Sequence, residues 1–270
     1  KVYKPFKNLA MTILEKINAY KRLEVASKKG VFPISLLEQS FYFQKEKISL
    51  AKAIKNSSTG IIAEHKRKSP SKSVINDKIL LPEVVKGYEL AGASGISILT
   101  DTQFFGGSLD DLLLARKTVS LPILRKEFIV EEYQIYEAKA SGADAILLIA
   151  ASLSKQEIRD FSILAKQLQL DVLVEIHNEA ELEKSVHATV DIIGVNNRNL
   201  KTFEVSIENS IRLSEKIPSE FVKISESGIN SVENVKELKK YGFEGFLIGE
   251  HFMKTENPGN ALKDFISKLS

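Results

Sequence analysis

Ala145-Ile146-Leu147-Leu148-Ile149-Ala150 is a strand with no polar face. A strand with one wet side alternates apolar and polar residues. An unbroken apolar run means that both faces are covered, as parallel sheets require. Working outward, seven more short apolar runs recur at 60–63, 96–99, 121–124, 171–174, 191–195, 221–224 and 245–248. Each is closed by a polar residue or a glycine and followed by a helix-like stretch. The closing residues are Glu64 with Lys66, Thr100 with Asp101, Lys126, Ala150 to Ser152, Glu175, Asn196 with Arg198, Ser227 with Gly228, and Gly249. Eight such units predict an α/β chain folded as a closed (β/α)8 barrel of the TIM type. Barrels of this kind do their chemistry at the carboxyl ends of the strands.

The 270 residues suit one such barrel rather than two domains. Apolar residues at 43% and charged residues at 27% give an ordinary globule with a real core. A net charge of +3, dispersed along the chain, argues against nucleic acid but favours an anionic metabolite. With no cysteine there is no disulfide, no thiolate chemistry and no cysteine metal site, which fits a cytoplasmic home. No run approaches the ~18 apolar residues of a membrane span, and no secretory h-region is seen. Residues 1–10 precede Met11 without periodic pattern, and are set outside the fold as an extension or expression remnant.

The expected domain is 11–270, a barrel with an N-terminal helical extension over about 11–56. The first helix starts at a capping box, Thr12 with Glu15, carries Ile13, Ile17, Tyr20 and Leu23 on one face, and ends at Gly30. A second box, Ser35 with Glu38, is expected to open a short helix running into Phe41, Tyr42 and Phe43. The apolar face of this preamble must bury against the bottom or flank of the barrel. Further on, Pro82 sits in a first turn, and Ser154 with Glu157 and Asn178 with Glu181 are caps. Gly92, Gly142 and Gly242 each end a helix just before a strand. A doubly wound open sheet is the rival architecture, but the first turn, 66–72, has no glycine to cradle a dinucleotide.

In the first run Glu64 and Lys66 share a face and His65 takes the other. A carboxylate and an ammonium side by side at a strand end make either a structural ion pair or a working one. Lys126, Glu175, Asn196 and Arg198 hold equivalent positions in other repeats, so closure brings them to one mouth. The loops Ser225-Glu226-Ser227-Gly228-Ile229 and Ile248-Gly249-Glu250-His251 end the last two strands, where barrels often bind phosphate. The four histidines, His65, His177, His187 and His251, form no spaced ligand pair, so no metal site is expected. Lysine-rich stretches such as 45–47 and 236–240 read as solvated helix faces.

At these residues the chain resembles the indole-3-glycerol-phosphate synthase family. The matching segments are Ile62-Ala63-Glu64-His65-Lys66-Arg67-Lys68-Ser69-Pro70-Ser71-Lys72, Leu121-Pro122-Ile123-Leu124-Arg125-Lys126-Glu127-Phe128, Leu173-Val174-Glu175-Ile176-His177, Ile193-Gly194-Val195-Asn196-Asn197-Arg198-Asn199-Leu200, and Ser225-Glu226-Ser227-Gly228-Ile229. The resemblance covers nearly everything after Met11. It implies closure of a carboxyphenylamino-deoxyribulose phosphate to an indole, with loss of carbon dioxide and water, in tryptophan biosynthesis. It implies a carbon–carbon lyase that needs no cofactor or metal, acting as a monomer or weak homo-oligomer without membrane or nucleic acid. Lys126 matches the general acid, and crowding by Lys66 and Arg198 is expected to pull its pKa down. Glu64 and Glu175 match carboxylates of the dehydration, with Lys66 a second acid. Asn196 would hold a ribulose hydroxyl and Arg198 the anthranilate carboxylate. Ser227, Gly228, Gly249 and Glu250 match a phosphate cradle, with Lys66 or Ser71 nearby. Phe105, Phe128 and Leu147 are either a floor under the aromatic ring or ordinary core. Three positions depart from the family pattern: Ser73 stands for a usual glycine in the first loop, which in the family closes over the substrate; Asn199 stands for a frequent aspartate and His65 for an apolar residue. A related phosphosugar isomerase or tryptophan synthase alpha-type barrel, and a phosphometabolite-binding barrel without turnover, are the alternatives.

Overall fold

The structure, a computed structural model, describes residues 11–199 and 202–269; the leading segment 1–10 lies outside the described residues. The strands are β1 (Ile61–His65), β2 (Gly95–Leu99), β3 (Ile123–Lys126), β4 (Ala145–Ile149), β5 (Asp171–Ile176), β6 (Ile192–Asn196), β7 (Val222–Glu226) and β8 (Gly245–Ile248). Each pairs in parallel with the next, and β8 closes onto β1. The expected runs coincide with β4 and β8. Two others fall short in a way that matters: β5 and β7 each run two residues further than their apolar cores, and so carry Glu175 and Glu226 inside the sheet.

Among the described residues three helices precede the barrel, α1 (Ile13–Val31), α2 (Ile34–Leu37) and α3 (Leu50–Lys55). The layer around it comprises α4 (Leu81–Ala91), α5 (Leu109–Thr118), α6 (Tyr133–Ala140), α7 (Lys155–Gln167), α8 (Glu179–Ser185), α9 (Glu208–Ser214), α10 (Val232–Lys240), α11 (Glu250–Met253) and α12 (Pro258–Ser267). Gly92, Gly142 and Gly242 adopt φ of 94°, 86° and 79° at their helix ends, as a left-handed stop requires. The capping boxes at Thr12 and Ser154 are both formed. No described helix is long and apolar enough to cross a membrane.

Side-chain alternation divides the core in two. Ile61, Ala63, Ile96, Ile98, Ile146, Val172 and Ile193 look outward to the helices. Ile62, Leu124, Leu147, Leu173, Ile192, Ile224 and Leu247 fill the barrel. Glu64, Lys126, Glu175, Asn196 and Glu226 share parity with this inner set and therefore stand above it, at the carboxyl end. His65 has the outer parity.

The preamble departs from expectation in three ways. Leu50 and Ile54 of α3 do enter the inner cluster and stopper the barrel's bottom, held by Asp171, whose Oδ2 accepts from Ser49 Oγ at 2.8 Å and the Ala51 amide at 2.9 Å. By contrast α1 lies at the mouth, where Ile13, Leu14 and Ile17 line the cavity. It buries Ile17, Lys21 and Val25, whereas Tyr20 and Leu23 are exposed: the helix is rotated from the expected face because Lys21 reaches buried carboxylates. Neither predicted boundary here is right. The first helix continues through Gly30 to Val31, and the Ser35–Glu38 box does not form. Pro33, with its fixed φ, starts α2 directly behind it, so Ser35 falls inside the helix and Glu38 at its end.

Candidate active site

The carboxyl ends of the strands surround a cavity of about 410 Å³, the size of a small-metabolite site. All of Glu64, Lys66, Ser71, Phe105, Lys126, Phe128, Leu147, Glu175, Asn196, Arg198, Ser227, Gly228, Gly249 and Glu250 line it. Strand alternation and closure thus bring every sequence-derived candidate to one place.

Lys126 is the electrostatic centre. Its Nζ lies 2.7 Å from Glu226 Oε2 and 3.5 Å from Glu175 Oε2. Lys66 Nζ lies 2.9 Å from Glu64 Oε1, whose other oxygen accepts from Ser97 Oγ at 3.2 Å. The expected depression of the Lys126 pKa is wrong in sign. Burial does disfavour its charge, but Glu226, Glu175 and Glu64 outweigh burial and raise its pKa above that of an ordinary lysine. Burial likewise opposes ionisation of Glu64, yet Lys66 and Lys126 prevail and hold its pKa below the usual carboxylate value.

Sequence reasoning missed Glu226, which it passed over as part of a loop. The residue is almost wholly enclosed, 1% exposed. Burial, reinforced by Glu175 and Glu64 and only partly offset by Lys126, lifts its pKa to about 7. Three carboxylates crowd two lysines here, and Glu226, whose pKa is raised, is the acid that keeps its proton nearest to neutrality. Gly194 makes the room: a Cβ there would meet Glu226 Oε1 at 2.2 Å. The available signal was parity, since Glu226 is two residues beyond inward-facing Ile224.

His177, read as unremarkable, also stands close: Nε2 is 3.7 Å from Glu175 Oε1 and Nδ1 is 3.1 Å from Glu181 Oε2. Burial lowers its pKa, but Glu181 and Glu175 more than compensate, so the net shift is upward. His65 does look outward. It is buried and pushed down to about 4 chiefly by burial, so it is neutral at the helix layer.

Asn196 is oriented by its own loop, its Oδ1 accepting from the Arg198 amide at 2.9 Å. Phe105 and Phe128 face one another with centroids 5.7 Å apart, beside Leu147. Ser227 and Gly228 take φ of 67° and 73°, and a Cβ on Gly228 would meet Val205 Cγ1 at 2.2 Å. Gly249 has a reason that sequence did not suggest: a Cβ there would meet Glu64 Oε1 at 2.7 Å, so the glycine lets Glu64 lie against β8. The Glu250 carboxylate pairs with Lys72 and would repel an anion, which leaves its backbone amide as the group suited to phosphate. The first loop is further tied down by Arg67 Nη2, 2.8 Å from Asp111 Oδ1. Among the described residues no cluster of His, Cys, Asp or Glu is placed to hold a metal ion.

The indole-3-glycerol phosphate synthase family model matches residues 14–265, nearly the whole chain. The chain belongs to the indole-3-glycerol phosphate synthase family. An indole-3-glycerol phosphate synthase of Bacteroides thetaiotaomicron is 48% identical over 257 residues, covering 95% of this chain and 98% of that protein. One of Caldanaerobacter subterraneus is 42% identical over 258 residues, with coverage of 95% and 98%. Among solved structures, a thiamine phosphate pyrophosphorylase of Pyrococcus furiosus superposes with a TM-score of 0.57 at 15% identity, covering 82% of this chain and 98% of that one. A tryptophan synthase alpha-subunit from the same organism gives 0.56 at 16%, with coverage of 78% and 97%. At such identities these two support the barrel fold alone. The indole-3-glycerol phosphate synthase assignment rests on the sequence matches.

Proposed function

We propose that this chain is the lyase that converts 1-(2-carboxyphenylamino)-1-deoxyribulose 5-phosphate to indole-3-glycerol phosphate, carbon dioxide and water, with 11–270 acting as one domain. The observation that carries the reading is a charged lysine ringed by carboxylates, between an aromatic wall and a mouth that also holds Lys66 and Arg198. In the proposed course, Phe105, Phe128 and Leu147 take the aryl ring, Arg198 its carboxylate and Asn196 a ribulose hydroxyl. The amides around Ser227, Gly228, Gly249 and Glu250 take the phosphate, with Ser71 across the mouth. Lys126 gives a proton to the ketone oxygen as the ring carbon attacks the ketone carbon; a developing alkoxide is a far stronger base than an amine, so a lysine of raised pKa still serves. Carbon dioxide leaves from the ring carbon, restoring its bonding electrons. Dehydration then needs an acid for the departing hydroxyl and a base for the proton that restores aromaticity. Lys66 and Glu64, 2.9 Å apart, and Glu175, within reach of Lys126, are the groups assigned to those transfers. Glu226 at its pKa of about 7 can return a proton to Lys126 between turnovers.

The test is formation of the indole chromophore from this substrate by purified protein with no added metal or cofactor. Tight binding without indole would reduce the protein to a phosphometabolite carrier. Lys126→Ala is expected to lower kcat by at least about 100-fold, the usual worth of a general acid, with substrate affinity kept within about tenfold. Near-normal turnover by that variant would remove Lys126 from the acid role.

A further inference from the structure

Lys21 of α1 is a charged group almost wholly enclosed, 1% exposed, yet it does not line the cavity. Its Nζ lies 3.0 Å from Asp101 Oδ2, 3.2 Å from Glu127 Oε1 and 2.9 Å from Glu24 Oε2. Asp101 Oδ2 makes no hydrogen bond among the described residues, so Lys21 supplies its compensating charge. The same two carboxylates hold the backbone that carries the aromatic wall, Asp101 through its other oxygen and Glu127 through the oxygen that Lys21 also contacts. Asp101 Oδ1 accepts from the amides of Phe104 at 2.6 Å and Phe105 at 3.1 Å. Glu127 Oε1 accepts from the Phe128 amide at 2.8 Å. Asp101 and Phe105 belong to the β2–α5 loop, Glu127 and Phe128 to the β3–α6 loop, and one ammonium is shared between them. Around it, the Tyr20 ring sits edge-on to Phe104 at 5.8 Å, and Arg22 Nη1 donates to the Val130 carbonyl at 3.2 Å.

We propose that Lys21 is a positioning residue for recognition of the aromatic half of the substrate. Its charge joins the two loops through Asp101 and Glu127 and thereby sets the spacing and tilt of the Phe105–Phe128 pair. The inference deepens the proposed function and rests on it for the identity of the ring. The helix before the barrel is then part of the specificity apparatus, with Lys21 acting through two carboxylates without itself lining the cavity. The phosphate end of the cavity, built from β7 and β8, shares none of these contacts.

The discriminating experiment compares two probes, each carrying one half of the substrate. Anthranilate reports the ring site and ribulose 5-phosphate the phosphate site, both titrated directly on the purified protein. Lys21→Met keeps the aliphatic stem and removes the charge. It is expected to weaken anthranilate at least tenfold, to raise KM for the full substrate similarly, and to leave ribulose 5-phosphate within about twofold; Lys21→Arg should restore most of the loss. Equal weakening of both probes would mark a merely structural role and overturn the proposal, as would unchanged anthranilate affinity. If Lys21→Met fails to fold, the same readings on Lys21→Met combined with Asp101→Asn decide the matter, since that pair leaves no uncompensated Asp101 charge. Binding is read apart from turnover: wild-type protein that binds anthranilate but makes no indole would sink the proposed activity and leave the positioning claim standing.

Discussion

Glu226 lies 2.7 Å from Lys126 and still titrates near 7, because burial and its neighbours Glu175 and Glu64 disfavour a further negative charge. Its folded pKa therefore exceeds the ordinary carboxylate value of 4.5. Between those pH values the native state holds a proton that the unfolded chain has lost. The contribution to stability is complete below about 4.5 and declines as pH rises to about 7. Glu226→Gln imitates the protonated acid and removes this slope. We predict stabilities of variant and wild type within about 1 kcal/mol at pH 5 and a more stable variant at pH 8, by roughly 3 kcal/mol at most. A constant difference across that range would show that Glu226 is ionised throughout. The contrast with the other site residues is instructive. Glu64, Lys126 and Glu175 were legible because each closes an apolar run with the parity of the barrel interior. Glu226 obeys the same parity, but serine at 225 and 227 made it look like loop. The sign of the Lys126 shift was illegible for a different reason: sequence brings Lys66 and Arg198 to the same mouth as the carboxylates of β1, β5 and β7 but does not say which of them stand nearest Nζ.

At the level of elements, the repeat of apolar run, helix and glycine stop was enough to place all eight strands. It was not enough for the preamble, whose position depends on partners far along the chain. Burial of Leu50 and Ile54 beneath the inner cluster fixes α3, and burial of Lys21 against Asp101 and Glu127 fixes α1; neither partnership leaves a local signal. The fit at the bottom is close, since a Cβ on Gly95 would meet Leu50 Cδ1 at 2.5 Å. Leu50→Ala should accordingly cost about 2–5 kcal/mol, as a leucine truncated in a packed core does. Because α3 stands at the end opposite the mouth, kcat and KM below the lowered melting temperature should stay within about twofold of wild type. Denaturant unfolding with parallel kinetics checks both halves of this expectation, and a large change in KM would mean that the stopper and the mouth are coupled.

Over the whole molecule, closure of the sheet is what converts a periodic sequence into a site. Residues about a hundred or more apart in sequence, such as Lys126 and Glu226 or Lys72 and Glu250, become ion-pair partners only because β8 returns to β1. The proposed phosphate cradle lies at that seam: Ser227 and Gly228 follow β7, Gly249 follows β8, and Lys66 leaves β1. An anion held there bridges the first and last strands and is bound by the folded state alone. Phosphate at 100 times its dissociation constant should therefore stabilise the protein by about 2.7 kcal/mol, a rise in Tm of about 5–10 °C for a chain of this size. Ser227→Asp places a carboxylate in the cradle and should abolish the rise while leaving the Tm without phosphate little changed, because the Ser227 loop is at the surface of the mouth rather than in the core. The same variant should weaken the substrate chiefly through KM, since the phosphate is remote from the reacting carbon. An undiminished phosphate response in Ser227→Asp would move the anion away from the loops after β7 and β8, and the substrate's orientation across the mouth would have to turn with it.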